Sequence, residues 1–288
     1  MKDDRELVTA LARGLHILAS FTARATTLSS SELSERTGLP KATVSRLTYT
    51  LVELGYLHRS SSKRKYALSA AVLALGYPLL ASLTIRQVAQ PMMRELSAET
   101  GGTVSLGVLD RDRVVYIETC RSAPNVDHLP DIGVIWPLME SAIGRALLAG
   151  LDVEHRAQLL NTIKVLEPER YTNTIAGVEE ALRDYEKFGY CVALGELRRG
   201  IYGVAVPVKR SWGEHRLAFN CGVPGTDPKG EALRRDVAPK LIRLVRSVED
   251  ALDALNRLED PIHPRRTVSD MVINTRRNAK IPTGVAQR

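Results

Sequence analysis

Ser29-Ser30-Ser31-Glu32-Leu33-Ser34-Glu35-Arg36-Thr37-Gly38-Leu39-Pro40-Lys41-Ala42-Thr43-Val44-Ser45-Arg46-Leu47 decides the fold of the first part of this 288-residue chain. Ser29 with Glu32 three residues on predicts a capping box, in which each side chain bonds the other residue's backbone N–H. The short helix it opens, roughly 30–37, stops at Gly38, a residue that accepts the left-handed conformation of a helix end. Pro40 then stands where a helix begins and a missing N–H costs nothing. That second helix runs to about Leu54 and ends at Gly55. Two helices joined by a tight glycine-containing turn make a helix-turn-helix.

Working outward, the second helix carries a predicted buried stripe of Val44, Leu47, Leu51 and Leu54. Lys41, Thr43, Ser45, Arg46, Thr48 and Tyr49 are expected outside, as hydrogen-bond donors placed for base edges and phosphates of a major groove. Upstream, Leu7, Leu11, Leu15, Leu18 and Phe21 recur at helical spacing, so 5–22 reads as a helix with one buried face. Downstream, 56–68 reads as a β-hairpin with the basic tip Arg59-Ser60-Ser61-Ser62-Lys63-Arg64-Lys65. A solvated loop is the alternative. Directly after a helix-turn-helix the better reading is a wing, with Lys63, Arg64 and Lys65 on phosphates. Residues 69–84 are apolar and largely helical, a linker whose surface would suit a dimer contact, with Pro78 expected to kink or break it.

Charge divides the chain in the same way. Residues 1–80 hold 11 Lys/Arg against 6 Asp/Glu, net +5. Residues 81–257 hold 23 against 24, and residues 258–288 hold 6 against 3. A basic small domain joined to a near-neutral large one points to a polyanion partner for the first. No stretch approaches the ~18 apolar residues of a membrane span, and no signal peptide is visible at the N-terminus. Three widely spaced cysteines, Cys120, Cys191 and Cys221, fit neither a disulfide framework nor a zinc site, so a reduced cytoplasmic setting is expected.

From 85 onward helices and strands alternate. Residues 85–100, 142–151, 157–162 and 178–188 read as helical, and a long helix, 232–258, closes the domain with Pro239 as its interruption. Residues 103–109 with 114–119, and 200–208 with 216–223, read as two hairpins. Antiparallel hairpins with separate helices give an α+β domain. The expected divisions are 5–68, a DNA-binding domain; 69–84, a linker helix; 85–257, an effector domain; and 258–288, a basic loose tail.

Several segments resemble one family. Ala12-Arg13-Gly14-Leu15-His16-Ile17-Leu18, the helix-turn-helix from Glu32 to Leu47, and Leu51-Val52-Glu53-Leu54-Gly55-Tyr56-Leu57 with Lys65-Tyr66-Ala67-Leu68 are similar to the N-terminal domain of the IclR family of bacterial regulators. Ser141-Ala142-Ile143-Gly144-Arg145-Ala146-Leu147-Leu148-Ala149, Phe188-Gly189-Tyr190 and Gly203-Val204-Ala205-Val206-Pro207-Val208 resemble its effector domain. The resemblance spans roughly 8–257. It implies a winged helix-turn-helix, a helical linker and a GAF-like α/β effector domain, working as a homodimer or a dimer of dimers (homotetramer) on double-stranded operator DNA. It also implies a pocket walled by Ser141, Ala142, Ile143, Ala193, Ile201, Gly203, Asn220 and Gly222, with Gly144 completing the helix start. Where the family often shows an acidic run after Gly189-Tyr190, this chain reads Cys191-Val192-Ala193-Leu194-Gly195-Glu196. Small residues at Ala193, Gly203 and Gly222 enlarge the pocket, which favours an aromatic acid over glyoxylate or pyruvate, the alternative. The carboxylate is expected near 141–144, where helix N–H groups favour an anion. Ser141 merely capping its helix is the other reading.

An enzyme is not expected. The six histidines, 16, 58, 128, 155, 215 and 263, show no metal-binding spacing, and Gly101-Gly102-Thr103 precedes a strand rather than a helix. No metal or cofactor is called for. A winged helix that touches only protein is disfavoured by the basic charge and the donor-rich helix.

Overall fold

The structure is a computed structural model, and it describes residues 7–60, 64–122, 131–209, 213–227 and 229–259. It divides into two compact units, 1–83 and 84–288.

In the first unit, helix α1 (Thr9–Ala19) leads through strand β1 (Thr27–Ser29) to α2 (Ser30–Thr37) and α3 (Lys41–Glu53). The capping box forms: the Ser29 N–H donates to Glu32 Oε2 at 2.7 Å, and the Glu32 N–H to Ser29 Oγ at 3.2 Å. Gly38 ends α2 at φ 68°, a left-handed conformation that a side chain would strain. Pro40 sits one place before α3, where its carbonyl accepts the Val44 N–H. Strands β2 (Leu57–Arg59) and β3 (Lys65–Leu68) close the hairpin, and β1 adds to it in the order β1-β3-β2. Ile17, Leu28, Leu33, Val44, Leu51 and Leu57 form the core.

Four expectations are corrected here. Of the predicted α1 stripe, Leu7, Leu11 and Leu15 are exposed, and the helix buries Ile17 instead. Thr48 is fully buried, because positions 44, 48 and 51 share a face, and its hydroxyl satisfies itself on the Val44 carbonyl at 2.8 Å. Leu54 is exposed at the helix end. Helix α4 (Ala71–Ser82) continues through Pro78, so of the kink or break expected there the break does not occur, and the helix buries none of its residues.

The second unit is a six-stranded antiparallel sheet with helices on both faces. Helix α5 (Thr84–Thr100) is followed by β4 (Thr103–Asp110), β5 (Arg113–Arg121) and β6 (Ile135–Pro137). Then come α6 (Ala142–Ala149), α7 (Val153–Leu166), α8 (Pro168–Phe188), β7 (Cys191–Leu194), β8 (Ile201–Pro207), β9 (Leu217–Pro224) and α9 (Ala238–Glu259). The strand order is β6-β5-β4-β9-β8-β7. Short strands β6 and β7 were not expected, and α8 begins ten residues earlier than the sequence reading placed it.

Strand alternation assigns the two faces. Cys120, Val104, Cys221 and Val204 are cross-strand neighbours, and this row meets α5: Cys120 Sγ lies 3.8 Å from the Gln90 carbonyl and Cys221 Sγ 3.6 Å from Thr100 Oγ1. The adjacent row, Thr119, Ser105, Asn220 and Ala205, faces α6. Helix α9 joins the α5 side, burying Leu241, Leu244, Val245 and Val248. Pro239 acts one turn ahead of its own position: lacking an N–H, it leaves the ladder to widen into a π-helical turn over Leu233–Val237. The basic tail expected over 258–288 lies outside the described residues from 260 on. Among described helices, none alone is long and apolar enough to cross a membrane.

Candidate functional site

Two regions bring chemistry-bearing residues together, one in each unit. On α3, Lys41, Ser45, Arg46 and Tyr49 are exposed and Thr43 is half-buried. Helical spacing splits them. Lys41, Ser45 and Tyr49 fall on one free stripe, whereas Thr43 and Arg46 border an apolar groove between α1 and α3, lined also by Leu11, Leu15, Leu47, Leu54 and Leu75. In the wing, Arg64 is exposed with φ 50°. Lys65 Nζ pairs with Glu32 Oε1 at 3.1 Å and so ties the wing to the capping box. The Glu32 carboxyl is held down at about 2, first by the Ser29 backbone N–H, then by the Ser29 hydroxyl and by Lys65. Lys63 lies outside the described residues.

The second region lies between the start of α6 and the sheet. Ala193, Gly203, Gly222 and Thr103 are successive cross-strand neighbours on β7, β8, β9 and β4. Four small residues in one row leave a trough, because nothing larger than a threonine rises from the sheet there. The trough opens into a cavity of about 180 Å³ whose wall includes Ser141, Ala142, Ile143, Ala193, Ile201, Gly203, Asn220 and Gly222. A Cβ at Gly222 would meet nothing nearer than 3.9 Å, so that position faces open space. A Cβ at Gly203 would come within 3.1 Å of Ala142. Gly144 is the exception among the pocket residues expected from sequence. Its Cα packs on the Leu138 backbone, where a Cβ would overlap the Leu138 carbonyl, and it does not line the cavity.

The polar groups of this cavity are one-sided. Ser141 is spent as a cap: its hydroxyl donates to the Pro137 carbonyl at 2.7 Å and accepts the Gly144 N–H at 3.1 Å. The Arg145 N–H begins the helix ladder on the Ser141 carbonyl, which leaves the Ala142 and Ile143 N–H groups as the orphan donors of the first turn. Tyr116 donates its phenol hydrogen to Asn220 Oδ1 at 3.0 Å, and burial pushes its pKa up, so it stays protonated. Arg198 is the one formally charged residue on the wall. The sequence reading names none of Tyr116, Trp136, Ser105 or Arg198, all of which line the cavity. Tyr116 and Trp136 arrive through a bulged strand and the short β6, and their rings meet edge-on at 6.1 Å.

Beneath the cavity, Arg145 is almost wholly buried. It donates to the carbonyls of Met139 and Val192 and pairs with Glu196 at 2.9 Å. That pair anchors α6 to the β7–β8 connection, which contributes Gly195, Leu197 and Arg198 to the wall. The thiols are placed for packing. Burial raises all three, Cys191 to about 12 and Cys221 to about 11, so no thiolate nucleophile is populated near neutral pH. Among the described residues no group of His, Cys, Asp and Glu could hold a metal ion.

The IclR helix-turn-helix domain matches residues 10–61, and the bacterial transcriptional regulator IclR C-terminal domain matches residues 78–249. The chain belongs to the IclR family. It is 36% identical over 251 residues to the HTH-type transcriptional regulator TsaQ1/TsaQ2 of Comamonas testosteroni, covering 86% of this chain and 90% of that protein. An IclR family regulator from Brucella abortus of known structure is 40% identical with a TM-score of 0.74, over 87% of this chain and 95% of that one. An IclR homologue from Microbacterium hydrocarbonoxydans, solved with 4-hydroxybenzoate, is 25% identical with a TM-score of 0.65, over 85% and 99%. These IclR relatives are transcriptional regulators rather than enzymes. The IclR helix-turn-helix binds DNA, and the IclR C-terminal domain binds a small-molecule effector.

Proposed function

We propose that this regulator's operator affinity is set by an aromatic carboxylic acid held in the α6 cavity. The observation that carries this reading is the one-sidedness of the wall. The orphan amides of Ala142 and Ile143 offer donors, Arg198 is the one charged residue of the wall, and no Asp or Glu lines it. A helix start of this kind favours an anion. Size supplies the aromatic part: the cavity holds about 180 Å³, and a buried apolar space of roughly 150 Å³ takes one benzene ring. The relative crystallised with 4-hydroxybenzoate supports the same class. A keto acid as small as glyoxylate or pyruvate would leave most of this space unfilled and is the second reading.

The DNA contact is read onto Lys41, Thr43, Ser45, Arg46 and Tyr49 of α3, with Arg64 on the wing and Lys63 beside it. We infer a homodimer, or a dimer of dimers, acting in the cytoplasm. Its contact surface includes the exposed leucines of α1 and the exposed Leu73, Leu75, Tyr77 and Leu79 of α4. Titration calorimetry of the full chain with benzoate, 4-hydroxybenzoate, glyoxylate and pyruvate tests the effector class. Binding of the aromatic acids at least tenfold tighter is expected. A preference for the keto acids, or heat from none of them, would refute it.

A further inference from the structure

Trp136 lines the cavity, and its indole N–H is buried with no acceptor among the described residues. Buried polar groups are almost always bonded, so an orphan on a cavity wall calls for a partner that the cavity receives. An indole nitrogen is a donor only. Asn220 lines the same wall; its side-chain carbonyl is occupied by the Tyr116 phenol, and its remaining polar group, the amide nitrogen, is a donor only. Trp136 and Tyr116 touch edge to face, which links the two donors through one aromatic pair. Neither group is needed to hold a carboxylate, for which the α6 amides already provide.

We propose that Trp136 and Asn220 form a selectivity element for an acceptor oxygen on the effector other than its carboxylate, so that the preferred class is a hydroxy-, alkoxy- or oxo-substituted aromatic acid. This rests on the reading that the cavity takes aromatic acids. A plain aromatic acid fills the apolar trough but leaves the Trp136 N–H buried and unpaired. A substituted one satisfies that group, and a site built to bond a ligand oxygen discriminates strongly against the analogue that lacks it. The discrimination falls on the ring substituent rather than on overall affinity for acids.

The test is calorimetry of the full-length protein with benzoate and with 2-, 3- and 4-hydroxybenzoate, for the wild type and Trp136→Phe. At least one hydroxybenzoate is expected to bind roughly tenfold or more tightly than benzoate in the wild type. In Trp136→Phe that advantage, read as the ratio of hydroxybenzoate to benzoate affinity within the same variant, shrinks to within about threefold. Where Trp136→Phe fails to fold, Asn220→Ala carries the same comparison. Equal loss for benzoate and its hydroxy derivatives would place Trp136 on the carboxylate and overturn the proposal. An unchanged ratio would overturn it as well. If no benzoate binds the wild type, the aromatic-acid reading itself fails, which is a different result from either.

Discussion

Helices α1 and α9 carry the same kind of apolar repeat and meet opposite fates. In α9, Leu241 and Val248 are completely buried against the sheet and α5. In α1, Leu11 and Leu15 stand 64% and 55% exposed, beside a groove that α3 and Leu75 complete. Periodicity says that a face is to be covered, and it does not say by what. In α9 the cover is the chain itself. In α1 the described residues supply none, which is why the sequence reading buries Leu7, Leu11 and Leu15 and the structure does not.

The comparison breaks most visibly by truncating each face. Leu241→Ala is expected to cost about 2–5 kcal/mol of unfolding free energy, independent of protein concentration, as a cavity in a filled core does. Leu11→Glu with Leu15→Glu is expected to leave secondary structure intact and to shift the sedimenting species toward monomer. A drop in thermal midpoint with no change in mass would show that these leucines belong to a core after all.

Arg46 sharpens the contrast because it borders that groove while reaching solvent. Arg46→Ala is expected to cost about 1–3 kcal/mol of operator affinity if it reads a base. Ser45 and Tyr49, on the free stripe, are the controls: replacing them should affect operator affinity and never the oligomeric state. On the wing, Arg64→Ala should lower the salt dependence of binding by about one phosphate contact, whereas Lys65→Ala should change it less, since Lys65 is bound to Glu32. Equal slopes for both variants would contradict that assignment.

The smallest expected effect is a pH dependence confined to the first unit. The folded pKa of Glu32, about 2, lies below its ordinary 4.5, so the carboxylate stabilises fully above 4.5. That contribution fades as pH falls toward 2. Thermal midpoints of wild type and Glu32→Ala, followed from pH 6 to pH 2, should converge at the acid end. Parallel curves would show that the capping carboxylate is not the group responsible.

The helix-turn-helix was legible because its signals are local: Ser29, Glu32, Gly38 and Pro40 each act within one turn. Thr48 was misplaced for the opposite reason. Its hydroxyl looked like a donor for DNA, yet its position shares the Val44 and Leu51 face, and burial decided. The cavity was legible only through resemblance. Ala193, Gly203, Gly222 and Thr103 become neighbours through strand register, which no local pattern in the sequence announces. Tyr116 and Trp136 were missed because a bulge and a three-residue strand deliver them. The one available signal was a tryptophan five residues before the Ser141 cap. Ser141 was read as a ligand group, although its hydroxyl is used up within its own helix start.

The most direct measurement is fluorescence anisotropy of the full chain on DNA from its own upstream region, titrated with 4-hydroxybenzoate, for wild type and Gly222→Val. A valine at 222 suits a strand and points into the open space of the trough, so it fills the cavity without disturbing the helix-turn-helix. The account predicts that the acid shifts operator affinity at least fivefold in the wild type, and that Gly222→Val binds the same DNA but no longer responds. An unchanged response in Gly222→Val, or a wild type indifferent to every aromatic acid, would contradict it.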